Sequence, residues 1–211
     1  MKTESEHLRL NEKKWDKWAA SYDDNGWLHD KLRETQIKAV NILDLKENIN
    51  FLDVGCGTGF AVGEAAKRIN YRGEFYGVDL SSKMIGKAKA NFSGNNNFHF
   101  IIANAESIPL EKDFFNIILC TNSFHHYLHP DKVLNEFYRL LKRGGKVYIL
   151  DPTADKWYTR VIEKMIKLIE PEHVKLYSTK EFQHLFSDAG FNYLPLEIKS
   201  KHDKIHIGEK K

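Results

Sequence analysis

Phe51-Leu52-Asp53-Val54-Gly55-Cys56-Gly57-Thr58-Gly59-Phe60 is the stretch from which the fold is read. Mostly apolar residues give way to three glycines at alternate positions, and Val62, Ala65, Ala66 and Ile69 follow at helical spacing. The pattern is a short buried strand, a tight turn and the opening of a helix. Glycine permits dihedrals closed to other residues and lets a ligand lie against the backbone, while the helix N-terminus offers unpaired N–H groups. A cofactor cradle is predicted. A dinucleotide fingerprint, G-x-G-x-x-G, needs its third glycine one place later, where Phe60 stands, and this disfavours a nicotinamide oxidoreductase.

Downstream, Arg72-Gly73 turns the chain into a second strand, Phe75 to Asp79. The resulting strand–helix–strand unit predicts a parallel sheet. Asp79 ends that strand about twenty residues beyond the glycine loop, where a carboxylate can accept from both hydroxyls of a ribose. Its alternative role, capping the next helix, falls more naturally to Ser81. Further strands are read at Phe98 to Ala103, Phe115 to Cys120 and Lys146 to Asp151, with Arg143-Gly144-Gly145 as a turn before the last. A closing hairpin is read near Phe191 to Lys199 and Lys204 to Gly208. Helices are expected from Leu10 to Tyr22, Asp30 to Asp44, Asp131 to Lys142 and from Thr179 to an end at Gly190. Alternating strands and helices make this a three-layer α/β fold with its site at the carboxyl ends of the parallel strands.

The fourth strand is followed by Thr121-Asn122-Ser123-Phe124-His125-His126-Tyr127-Leu128-His129-Pro130, the chain's histidine cluster. A histidine at a strand end can serve as a general base, because imidazole ordinarily titrates near neutrality. His126 is the first candidate and His125 the second; the alternative is a histidine that only shapes the pocket. His125 and His129 are four apart with Asp131 nearby, but Pro130 and a cap at Asp131 deny them a shared helix, so no metal site is expected. In the N-terminal segment Trp15, Trp18 and Tyr22 share a helical face, readable either as core packing or as a lid over the site.

Leu52-Asp53-Val54-Gly55-Cys56-Gly57-Thr58-Gly59, Asp79, Asn104-Ala105-Glu106-Ser107-Ile108-Pro109-Leu110 and Leu141-Lys142-Arg143-Gly144-Gly145-Lys146 resemble, at the right intervals, the motifs of class I S-adenosyl-L-methionine-dependent methyltransferases. Within that family they are similar to the small-molecule branch of ubiquinone and menaquinone biosynthesis. The resemblance implies a Rossmann-like sheet of seven mostly parallel strands with the last antiparallel, covered by an N-terminal helical lid. It implies S-adenosyl-L-methionine as cofactor, with Tyr22, Asp53, Gly55, Cys56, Gly57, Gly59, Asp79, Leu80, Met84, Asn104, Ala105, Glu106 and Asn122 around it. Met84 would lie against the adenine, Ala105 would offer it a backbone N–H, and Tyr22 would stand near the reacting methyl. Asn104 replaces the family's aspartate; its amide oxygen can still accept from the adenine amino group, without a charge. Asn122-Ser123-Phe124-His125 lacks the prolines of the methyltransferases that act on nucleobase amines.

A length of 211 residues suits one domain. It divides into a lid (1–46), a cofactor core (47–151), a substrate-covering insertion (152–178) and a C-terminal helix and hairpin (179–211). Net charge +3 does not call for nucleic acid. Two cysteines without a C-x-x-C pair suggest neither disulfide nor zinc ribbon, and together with the polar N-terminus they fit a cytoplasmic protein. The expected partner is a small-molecule methyl acceptor, with no nucleic acid and no membrane, in a monomer or homodimer. A non-catalytic S-adenosyl-L-methionine-binding module, or a nucleic-acid or protein methyltransferase, stands as the alternative. The basic helical face between Asp155 and Tyr177 reads as solvated surface.

Overall fold

Phe51, Leu52, Val54, Ile117, Ile118, Leu119, Val147 and Ile149 are all buried, and the strands that carry them lie at the centre of a single sheet. The computed structural model describes residues 3–19, 26–169, 173–196 and 203–211. In chain order these form α1 (Glu4–Ala19), α2 (Trp27–Asn41), β1 (Ile49–Val54), α3 (Phe60–Arg68), β2 (Gly73–Asp79), α4 (Ser82–Asn91), β3 (Phe98–Ile102) and β4 (Phe115–Thr121). A short 3-10 turn (Phe124–His126), α5 (Pro130–Leu140), β5 (Leu141–Pro152), α6 (Thr159–Ile169), α7 (Thr179–Asp188), β6 (Phe191–Leu196) and β7 (Asp203–Lys210) complete the chain. The seven strands run in the order β3-β2-β1-β4-β5-β7-β6. β7 is antiparallel to both its neighbours, and the pairs from β3 through β5 are parallel.

The two-residue period of the strands sorts the core into two halves. Phe51, Ile117, Leu119, Tyr148 and Leu150 pack beneath α2, α3 and α4. Leu52, Val54, Ile118, Cys120, Val147 and Ile149 pack beneath α5 and α7, with Phe137, Phe182 and Phe186. The chain reverses its direction of travel across the sheet between β1 and β4, and the crevice beyond their carboxyl ends is where open α/β sheets take ligands.

Local departures from the sequence reading have physical causes. α1 begins at Glu4 rather than Leu10, because His7 and Asn11 are buried against the rest of the protein and hold its first turns in place. α5 starts at Pro130, with His129 rather than Asp131 at the cap position; proline at the first helical position is preset for the helix and loses no needed N–H. β5 begins at Leu141, paired with Phe115, before the register slips between Phe115 and Ile117. Lys142 to Gly145 thus form a bulge inside the strand, with Gly144 at φ +75°. α6 occupies part of the segment read only as a basic helical face without bounds. Tyr22 and the end of the expected strand beyond Leu196 lie outside the described residues.

Candidate active site

The glycine loop leaves β1 with the Gly55 and Cys56 N–H groups both donating to the Val78 carbonyl, at 2.8 and 3.0 Å. Gly55, Gly57 and Gly59 have φ of +76°, +52° and +85°. At Gly55 a Cβ would stand 2.5 Å from Ser123 Oγ, so the loop is closely overlaid by the segment that follows β4. Gly59 sits at the N-cap of α3, and the turn delivers the backbone of 55–59 to the crevice at the sheet's switch point.

Asp79 ties this loop to the next. One carboxylate oxygen accepts from Gly57 N–H at 2.9 Å and the other from Ser81 N–H at 2.9 Å. Burial pushes its pKa up, against the pull of the Ser81 and Gly57 amides. Ser81 caps α4 by accepting from Met84 N–H, and its hydroxyl donates to Asp16 of α1. Asp53 is different. It is 1% exposed, and neither carboxylate oxygen has a hydrogen-bond partner among the described residues. Burial, helped by the charge of Asp79, raises its pKa to about 8. An unpartnered buried carboxyl beside a glycine cradle fits a cationic ligand, since a positive charge would favour the ionised form that burial opposes.

A cavity open to solvent lies over this end of the sheet. Gly55, Gly57, Asp79, Leu80, Met84, Asn104, Ala105, Glu106, Asn122 and His126 line it. Asp53, Cys56 and Gly59 stand behind that lining, within or beneath the loop. The wall made by 104–110 is braced by α5: Glu136 accepts from Ile108 N–H at 2.7 Å, and Arg139 donates to the Ile108 and Leu110 carbonyls, each at 3.0 Å. Asn104 Oδ1 accepts from Glu106 N–H at 3.1 Å, and Glu106 reaches Lys132 at 3.5 Å. Asn122 holds φ +52°, a left-handed conformation that asparagine tolerates, and bends the chain away from β4 into the cavity rim.

The two candidate histidines part company here. Asp151, buried at the end of β5, accepts from His125 N–H at 2.7 Å and from His125 Nδ1 at 2.8 Å. His125 therefore anchors the 3-10 turn and does not line the cavity. Its carbonyl accepts from the Val174 and Lys175 N–H groups, and this is how the 152–178 segment reaches the site, from behind. His126 lines the cavity, buried, with its ring edge-on to Trp15 at 5.6 Å. His7 Nε2–H donates to the His126 carbonyl at 2.9 Å, and the Asn11 amide stands 3.0 Å from the same ring nitrogen. Trp15 also meets Trp18 edge-on at 5.7 Å.

Several lining residues escape a reading of the sequence. His7, Asn11 and Gln36 join the cavity through contacts spread over the chain, as in the 119 residues between His7 and His126, and no local spacing announces them, whereas Ser123 and Tyr127 come with the histidine cluster's own segment. Burying His7 and Asn11 on a helix of otherwise polar character is the one available signal, and it is visible only in three dimensions. A group of Glu4, Glu106 and His129 at the cavity's outer edge could approach one metal ion, though Glu4 is exposed and Glu106 already reaches Lys132.

A doubly covered sheet with a glycine cradle at its switch point and a carboxylate ending the second strand is the ligand-binding architecture of a Rossmann-like fold. A family model described as a methyltransferase domain matches residues 45–190, and the chain belongs to that family. It is 33% identical over 150 residues to the uncharacterized methyltransferase YcgJ of Bacillus subtilis, covering 69% of this chain and 58% of that protein. It is 30% identical over 168 residues to a demethylmenaquinone methyltransferase of Lactococcus lactis, covering 76% of this chain and 65% of the relative. The chain thus spans less than two thirds of the length of these relatives. The crystal structure of YcgJ superposes with a TM-score of 0.75 at 20% identity, covering 84% of this chain and 98% of that one, a likeness of fold. No helix among the described residues is long and apolar enough to cross a membrane.

Proposed function

We propose that the enzyme methylates a small, largely apolar ring compound of the quinone type, seated between α1, α2 and the 3-10 turn. The observation that carries this reading is the makeup of the lining away from the glycine loop: Leu8, Trp15, Leu32 and Leu128 stand in it together with the imidazoles of His7 and His126. An aromatic and aliphatic wall suits a flat apolar acceptor; the imidazole of His7 is committed to the His126 carbonyl, and that of His126 suits an acceptor hydroxyl. The name of the Lactococcus lactis relative, a demethylmenaquinone methyltransferase, points the same way.

When bound, S-adenosylmethionine supplies a methyl group activated by the adjoining sulfonium, and no covalent enzyme intermediate is required. The chain's residues align and isolate the reactants. In this reading Asp79 takes the ribose hydroxyls, Leu80, Met84 and Ala105 enclose the adenine with Asn104 and Glu106 at its edge, and Asn122 borders the methionine portion. Asp53 ionises beneath the cationic end. His126 accepts the acceptor's hydroxyl proton as the nucleophile forms, its ring against Trp15, its carbonyl held by His7, and its neighbour His125 anchored to Asp151. α1 excludes water from the transfer. The test is formation of S-adenosylhomocysteine with a panel of reduced quinones bearing a free ring position, against polar amines and nucleosides. Turnover with the polar compounds and none with the quinols would refute the acceptor assignment.

A further inference from the structure

α6 wears its polarity inside out. Its acidic residue, Glu163, is buried and accepts from Leu176 N–H at 2.9 Å, with His173 Nε2 3.7 Å away. Its large apolar residues face solvent instead: Met165 is 60% exposed and Leu168 86%, with Val161 and Ile162 also exposed. Just ahead of the helix, Trp157 is 83% exposed. At 100° per residue Val161, Met165 and Leu168 fall within one arc of about 60°, directed away from the Glu163 side. A patch of this kind, contributed by five large apolar side chains within twelve residues, is not the ordinary scatter of surface hydrophobics.

The charges around it indicate what covers it. Residues 156–169 contain Lys156, Arg160, Lys164 and Lys167, and their single acid is the buried Glu163. At 100° per residue positions 160, 164 and 167 fall together on one flank of the apolar arc, Lys167 within 3.6 Å of Glu163, and the stretch carries no other acid. A second copy docked on the same face across a twofold axis would bring these cations together. An anionic lipid surface accepts both kinds of residue at once: the apolar arc enters the acyl boundary, the amines meet the phosphates, and a tryptophan settles at headgroup level. We propose that Trp157 and α6 form a docking face for the surface of an anionic phospholipid bilayer, holding the protein as a peripheral enzyme. The proposal departs from the sequence reading, which took this face as solvated and expected no membrane partner; it rests on the burial of Glu163 and the exposure of Leu168 and Trp157. The proposal is independent of the acceptor's identity.

The experiment is flotation of the whole protein with vesicles of phosphatidylcholine, with and without about a quarter phosphatidylglycerol, at low and moderate salt. Binding to the anionic vesicles is expected, weakened by salt and at least tenfold weaker on phosphatidylcholine alone. M165E/L168E, two substitutions at exposed positions, is expected to lose at least tenfold in vesicle affinity while keeping its helical circular dichroism and S-adenosylmethionine affinity. Should that variant misfold, W157F supplies a second readout: wild-type fluorescence shifts to the blue on anionic vesicles and the W157F shift is largely lost. Wild-type protein that fails to float with anionic vesicles overturns the proposal. So does sedimentation showing a wild-type dimer that M165E/L168E dissociates, since the face would then belong to a second copy.

Discussion

Replacing Asp53 by asparagine should make the free protein more stable and a poorer binder of S-adenosylmethionine, and both effects follow from one buried carboxyl. Burial raises the Asp53 pKa from the ordinary 3.8 to about 8. Between those values the unfolded chain has released its proton and the folded chain has kept it, so wild-type stability falls as pH rises from about 4 to 8. At pH 7 about three units of that interval have been crossed, which at 1.36 kcal/mol per unit amounts to roughly 4 kcal/mol. Asparagine is nearly isosteric, cannot ionise, and leaves a site as poor in partners as the neutral carboxyl. Asp53→Asn should therefore gain a few kcal/mol at pH 7, worth several degrees in Tm for a chain of this size. The gain should shrink towards nothing at pH 4. Binding moves the opposite way: a cationic cofactor must drive Asp53 to ionise, so wild-type affinity should rise up to tenfold per pH unit between about 6 and 8, while the variant's stays flat. Thermal melts and calorimetry from pH 4 to 9, in buffers of differing ionisation enthalpy, read both slopes and the released proton. A stability difference that does not vary with pH, or a variant that binds S-adenosylmethionine as tightly as wild type at pH 8, would refute the reasoning.

Three further outcomes are expected. Gly57→Val should fold yet lose cofactor, because Gly57 has φ +52° at the cavity wall and its N–H is spent on Asp79; normal binding by calorimetry would move the cradle elsewhere. Asp79→Ala removes charge-assisted bonds worth roughly 1.5–3 kcal/mol each, so S-adenosylmethionine affinity should drop at least tenfold, and an unchanged Kd would remove Asp79 from the ribose. His126→Ala should lower turnover on the order of a hundredfold with cofactor affinity nearly constant, and a variant that keeps the wild-type pH–rate profile would show that His126 is not the base.

Much of the fold was legible because its signals are local. The apolar run into Gly55-Cys56-Gly57-Thr58-Gly59 and the strand ending at Asp79 lie within one βαβ unit, and Ser81 caps α4 as its position suggests. The cavity's outer wall was not legible, since it depends on distant pairings: His7 with the His126 carbonyl, Asp16 with Ser81, and Asp151 with His125. His125 and His126 look interchangeable as neighbours in sequence, and only the carboxylate arriving from β5 separates them. The bulge at Lys142 to Gly145 was hidden for a similar reason, because a strand that breaks register reads as a turn followed by a shorter strand. In α6 the sequence shows basic and apolar residues at helical spacing but not which of them are covered, and only the structure places Glu163 inside and Met165 and Leu168 outside.

The bond from Ser81 to Asp16 has a thermodynamic corollary. A continuous path of hydrogen bonds runs from Asp16 on α1 through Ser81 to Asp79, and from Asp79 to the Gly57 amide. The covering helix and the cofactor loop thus share a residue, so α1 cannot lift from α4 without disturbing the group that orients Asp79. Whatever free energy a ligand on Asp79 and Gly57 adds to the α1–α4 contact, that contact returns to the ligand's affinity, because the coupling is reciprocal.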